Sequence, residues 1–129
     1  QRRNAMLKYI FLAMIVALTS SVDPATAQTK KGANGGPVVT SQGHPIEFVH
    51  KGQEIIFYIG DDDGSPLPTK EMKGRATIQQ GGKTVTVQLK PSSPNLMVGK
   101  VEAELAPQAR VVFSGNLHGH SLTARYTVK

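Results

Sequence analysis

The sequence predicts an all-β fold, a seven-stranded antiparallel immunoglobulin-like sandwich that follows a cleaved signal peptide. Three observations predict it. Apolar and polar residues alternate at period two in segment after segment, as in strands with one face in a core and one in water. Turn signals built on Gly, Pro and Asn recur about every 8–14 residues. Beyond residue 27 no stretch keeps a helical period in preference to the strand period. A small closed barrel is the alternative architecture.

The N-terminal part is set apart by composition. Met6-Leu7-Lys8 is a positively charged start, Tyr9 to Leu18 is an apolar run, and Ala25-Thr26-Ala27 has the small-x-small form of a cleavage site. Residues 1–27 are therefore expected to be upstream residues and a signal peptide, with Gln28 first in the mature chain. The apolar run is short for a membrane span, so no span is expected after cleavage; an uncleaved anchor helix is the alternative. Export implies a periplasmic protein. Residues 28–43, rich in Gly, Thr, Lys and Gln, read as a flexible lead-in, and residues 44–129 as one β-domain.

Composition removes several function classes. The chain has no cysteine, so neither disulfides nor thiolate chemistry contributes and packing alone must hold the fold. Residues 28–129 hold 12 Lys/Arg and 8 Asp/Glu, scattered along the expected strands with no run longer than Lys30-Lys31. Nucleic-acid binders concentrate their positive charge and add aromatic stacking platforms. Here Phe48, Phe57, Phe113 and Tyr126 fall at core positions, and nucleic acid is not an expected partner.

The stretch Glu54–Ile59 carries apolar residues on both faces, Ile55, Phe57 and Ile59 on one and Ile56 and Tyr58 on the other, which marks a central strand. Before it, Pro45–His50 places Ile46 and Phe48 on one side of a strand, with Glu47 and Val49 on the other. After it, Asp61–Gly74 is the longest irregular connection; Pro66 and Pro68 exclude a central strand there. Arg75–Gln80, the Gly81-Gly82 turn and Lys83–Leu89 read as a hairpin, with Val85, Val87 and Leu89 inward. Residues 91–95 read as a loop, and Leu96–Leu105 as a strand, a helix over Val98–Leu105 being the weaker fit to its period. Arg110–Leu117 and the segment bearing Leu122, Ala124, Tyr126 and Val128 close the chain, joined at His118-Gly119-His120.

From Gly43 to Lys129 the chain resembles small exported bacterial sandwich proteins of the CopC and YtkA kind, especially periplasmic proteins found near metal-efflux systems. The likeness rests on Ile55-Ile56-Phe57-Tyr58-Ile59, Asp61-Asp62-Asp63-Gly64-Ser65-Pro66-Leu67-Pro68, Gly74-Arg75-Ala76, Gly81-Gly82-Lys83-Thr84 and Ala109-Arg110-Val111-Val112-Phe113. CopC-like proteins bind copper through histidine and aspartate, so the resemblance implies a metal-handling role.

The residues point to a candidate metal site of their own. Imidazole suits Cu(II) and Zn(II), and two histidines flanking a glycine, His118 and His120, can converge on one ion. Up-and-down strands put that turn at the same end as His44, the acidic loop with Asp61, Asp62 and Asp63, and residues 91–95; His50 falls at the other end. The expected ligands are His118, His120, His44, Asp61 and Asp63, with copper or zinc as the ion. The bland reading is a pair of exposed turn histidines. Asp61-Asp62-Asp63-Gly64 opens like a calcium loop but lacks its terminal glutamate, and a solvated turn accounts for it. Met72 and Met97 read as core filler. Ser114 or Ser121 with His118 lacks a nucleophile elbow or carboxylate pair, so no enzyme is expected. The function expected is therefore a non-enzymatic periplasmic accessory protein, monomeric or weakly associating, that binds a metal ion. The alternative is a metal-free module that docks on an envelope protein through a sheet edge or loop end.

Overall fold

The computed structural model describes residues 30–129; the leader at 1–27 and Gln28 lie outside the described residues. Nine strands follow in order: β1 (Lys30–Lys31), β2 (Pro37–Ser41), β3 (His44–Lys51), β4 (Glu54–Ile59), β5 (Lys73–Gln80), β6 (Lys83–Ser92), β7 (Leu96–Lys100), β8 (Arg110–Leu117) and β9 (His120–Thr127). The all-β, antiparallel expectation holds for these residues. In place of seven strands in two separate sheets, they form one sheet in the order β1-β2-β3-β4-β7-β6-β5-β8-β9, curled as a half-barrel.

The curl follows from the length of β6. Its first part pairs with β5 from Lys83↔Gln80 to Leu89↔Gly74, and its last three residues pair with β7. One strand thus carries the ladder round a corner. The two flanks then approach where the Ser41 hydroxyl accepts from Thr123 N (3.0 Å) and Gln42 Nε2 donates to Ser121 O (3.1 Å). Tyr126 Oη adds a buried bond from β9 to Ile46 O of β3 (2.7 Å).

Tight turns set the register. Gln42-Gly43, Gly81-Gly82 and His118-Gly119 all have positive φ at both central positions, the form whose twist matches flanking antiparallel strands. The inward faces are those the alternation predicts. Ile46, Phe48, Ile55, Phe57, Ile59, Ala76, Ile78, Val111, Phe113, Leu122, Ala124 and Tyr126 are buried. Phe57 is the hub: its ring centroid lies 5.1 Å from Phe48, 4.8 Å from Phe113 and 6.0 Å from Tyr126, within the range where aromatic pairs attract.

Five expectations need correction. The lead-in at 28–43 was expected to be flexible, yet residues 30–41 supply β1 and β2, and β2 runs against β3 from Val38↔Glu47 to Ser41↔His44. The cause is Glu47. Expected on the outward face, it is buried, and its carboxylate accepts from Asn34 N (2.9 Å), Asn34 Nδ2 (3.1 Å) and Gly36 N (2.8 Å). A carboxylate with several donors is well satisfied when buried, and it pins a segment too polar to pack itself. Gly36 must approach closely, since a Cβ there would stand 2.0 Å from Phe48 O.

The strand expected to reach Leu105 ends at Lys100. Val101 N donates to Gln53 O (2.8 Å) and Gln53 Nε2 to Glu102 O (2.7 Å), which draws the chain towards the β3–β4 turn. The expected loop at 91–95 begins later, because Pro91 and Ser92 finish β6 opposite Met97 and Leu96. Val85, expected inward, is 51% exposed, because β7 has departed and leaves that end of β6 uncovered. Val87 and Leu89 are buried as expected, against Gly99, where a Cβ would come within 2.8 Å of both side chains.

Burial, and after it the nearby Glu47 charge, push the Tyr126 phenol above the ordinary tyrosine range. The fold therefore favours the neutral phenol. Its contribution to stability is whole below the unfolded-state pKa of about 10 and declines as pH rises beyond it. Wild type is expected to exceed Tyr126→Phe in stability by about 1 kcal/mol near pH 8, the worth of a buried hydrogen bond. Denaturant melts should show the two converging as pH passes about 10; a gap that stays constant would contradict the buried phenol.

Candidate metal centre

The acidic loop is a short excursion from the end of β4. Gly60 pairs with Pro66 in an isolated bridge, Leu67 N returns to Ile59 O (3.0 Å), and Asn95 Nδ2 bonds the same oxygen (2.8 Å). Gly60 N donates to Pro45 O (2.8 Å), which seats the loop on β3. Thr69 anchors its far side, fully buried with Oγ1 donating to Leu96 O (2.8 Å).

Within this frame the turn is closed by Asp61 N to Ser65 O (2.7 Å) and Gly64 N to Asp61 O (2.8 Å). The aspartates also serve the turn. Asp61 Oδ1 accepts from Asp62 N (2.8 Å), and Asp63 Oδ1 from Ser65 N (2.9 Å) and Ser65 Oγ (2.6 Å). Such side-chain-to-backbone bonds are what favours Asp in turns. The Ser65 hydroxyl, and then its amide, hold the Asp63 carboxyl below its usual range, so Asp63 is ionised at neutral pH.

Asp61, Asp62 and Asp63 each offer a ligand oxygen, all within 4.8 Å of one another, the only group of three or more such side chains among the described residues. Beside them, His44 Nδ1 lies 3.1 Å from Gly60 O and 3.9 Å from Asp61 Oδ1. The tautomer with a proton on Nδ1 donates to Gly60 O and leaves Nε2 as a free ligand nitrogen, the arrangement usual for metal-binding imidazoles. His44–Asp61 is the only salt-bridge contact among the described residues. In a basic domain, then, three converging carboxylates have no Lys or Arg within ion-pair distance among the described residues.

His118 and His120 stand on the β8–β9 turn, which the Gln42–Ser121 bond ties to the β2–β3 turn; Gly43 of that turn lies against Asp62, where a Cβ would be 3.8 Å from Asp62 Cβ. The shared end is therefore as the topology argument expected. Neither these two histidines nor His44 belongs to the ligand group that the three aspartates form. His118 is the non-glycine left-handed residue of its turn, φ 51°, a conformation in which His is enriched for local reasons. His50, at the other end, stacks on Phe48 with centroids 5.6 Å apart.

Sequence reasoning missed Asp62 as a member of the ligand group and Ser65 as its organiser. The signal was present in Asp-x-Ser, the spacing at which an aspartate bonds the backbone two residues on.

No protein-family model matches the chain, and no curated protein or solved structure matches it.

Proposed function

We propose that the chain is an exported, non-enzymatic accessory domain of the bacterial envelope, akin to the immunoglobulin-like sandwich proteins it resembles, that binds a divalent cation on the 61–65 loop. The observation that carries this reading is the convergence of three carboxylates without a basic partner among the described residues. Like charges held this close repel, and a cation relieves that repulsion. Oxygen ligands alone suit hard ions, and an imidazole shifts the preference towards Zn(II) or Cu(II). His44 stands beside the loop, outside the group of three, and is the imidazole with a contact to it. A second reading, a metal-free module that docks through a sheet edge, draws on the uncovered length of β6.

The test is calorimetric titration of the purified chain with Zn(II), Cu(II) and Ca(II). Asp61→Asn/Asp63→Asn is expected to weaken binding at least ~10-fold, since charged ligands dominate such sites. His44→Ala is expected to weaken Zn(II) and Cu(II) but to leave Ca(II) unchanged. Lowering the pH from about 7.5 to about 5.5 should reduce Zn(II) affinity, because protons compete with the ion for an imidazole ligand. Binding that survives the double aspartate variant and is lost in His118→Ala/His120→Ala would move the site to the β8–β9 turn and refute this assignment.

A further inference from the structure

The sheet is continuous but not fully paired. From Lys83 to Leu89, β6 pairs with β5 alone among the described residues, and its pairing with β7 is confined to Lys90–Ser92. Gly99 of β7 still lies against Val87 and Leu89, so the open part of the edge is Lys83–Thr86. The departure of the chain at Val101 leaves the other edge of β6 open. Gln80 and Lys83 flank a two-residue turn and so exchange main-chain bonds. By alternation Val85 and Val87 also bond towards β5, while the N–H and C=O groups of Thr84 and Thr86 point away from it, into the open edge. Beside that edge runs a groove of about 850 Å³, with Val85, Ile56, Val98 and Val101 on its apolar lining and Glu54 and Glu102 among its charged residues.

We propose that this edge pairs antiparallel with the same edge of a second copy of the chain, about a two-fold axis at Val85. In that register Thr84 exchanges main-chain bonds with the partner's Thr86, and Thr86 with the partner's Thr84. Val85 faces the partner's Val85 in the closer, non-hydrogen-bonded kind of pair. The pairing satisfies both open edges in one isologous contact. It also covers Val85, the only large apolar side chain that stands exposed among the described residues.

Three further observations favour a copy of the chain over an unrelated strand. The segment Thr84–Gln88 is uncharged, so it does not repel itself, and it lacks the central Lys or Pro that blunts natural edges. The hairpin tip is bare: a Cβ at Gly81 or Gly82 would meet nothing within 4 Å. And the tip carries Lys83, which the two-fold directs towards the groove residues Glu54 and Glu102 of the other copy. Lys90 and Lys100 also line that groove, but Lys100 sits directly opposite Glu54 in the β4–β7 pairing. So short an edge belongs with the smaller, transient interfaces. The dimer is weak, and it is independent of the ion site.

Sedimentation velocity of the purified chain from about 10 μM to about 1 mM tests this, a span that covers weak dimer affinities. Wild type should pass from monomer towards dimer within the range. Val85→Lys puts a charge on an already exposed side chain, and Thr86→Pro removes an edge donor that makes no bond to β5; both should stay folded by circular dichroism. Each is expected to raise the dissociation constant at least ~10-fold. A wild type that stays monomeric throughout, leaving an external strand as the occupant of the edge, overturns the proposal. So does a dimer that both folded variants retain.

Discussion

Replacing Phe57 with alanine is expected to destabilise the domain by about 3–5 kcal/mol, the cost of opening a large cavity in a packed core. Phe57 is fully buried on β4, an interior strand, and its ring packs with aromatic residues from both flanks of the curled sheet, Phe48 on β3 and Phe113 and Tyr126 on β8 and β9. No neighbour can swing in to fill the space, because Ile55 and Ile59 on the same strand are themselves fully buried. Marginal stability is the rule for a domain of this size, so the variant should unfold at far lower denaturant or fail to fold. Equilibrium melts are the check. A loss under ~1 kcal/mol would place Phe57 outside the core.

Glu47→Ala is expected to remove about 1–3 kcal/mol, but locally, because a buried donor deprived of its acceptor, here the Gly36 amide, keeps its desolvation cost. The amides of Asn34 and Gly36 would lose that acceptor together. The residues that depend on Glu47 are those of β1 and β2, which add no large side chain to the aromatic cluster. Hydrogen exchange should therefore accelerate over Lys30–Ser41 while β4, β5 and β8 remain protected. Uniform acceleration across all nine strands would mean that β1 and β2 fold as one unit with the core. Glu47→Gln, which keeps an acceptor oxygen, should lose less.

The strands from β3 onward were legible because each is announced by its own residues. Ile46 and Phe48, Val111 and Phe113, and Leu122 to Val128 alternate cleanly, and two-residue glycine turns mark three of the hairpins. What was illegible depends on residues far apart. Lys30–Lys31 and Pro37–Ser41 have no apolar alternation of their own; their order comes from Glu47, a carboxylate that alternation alone sends to solvent. That nine strands make one curled sheet rests on β6 changing neighbours at Lys90, and the exposure of Val85 on where Gln53 holds the chain at Val101. The candidate site divides in the same way. The turn chemistry of Asp61–Ser65 and the placing of His44 at that end were readable from strand direction. Convergence of side chains was not, and there His118 and His120 part from the aspartates, because a left-handed turn residue points where its hairpin sends it.

The most direct measurement of the ion-binding account is a Zn(II) titration followed by amide chemical shifts. The account predicts that Gly60 to Ser65 and His44 shift first and saturate together, with the His44 ring nitrogens responding in the same step. Shifts confined to His118, Gly119 and His120, or no saturable change at Asp61–Asp63, would contradict it.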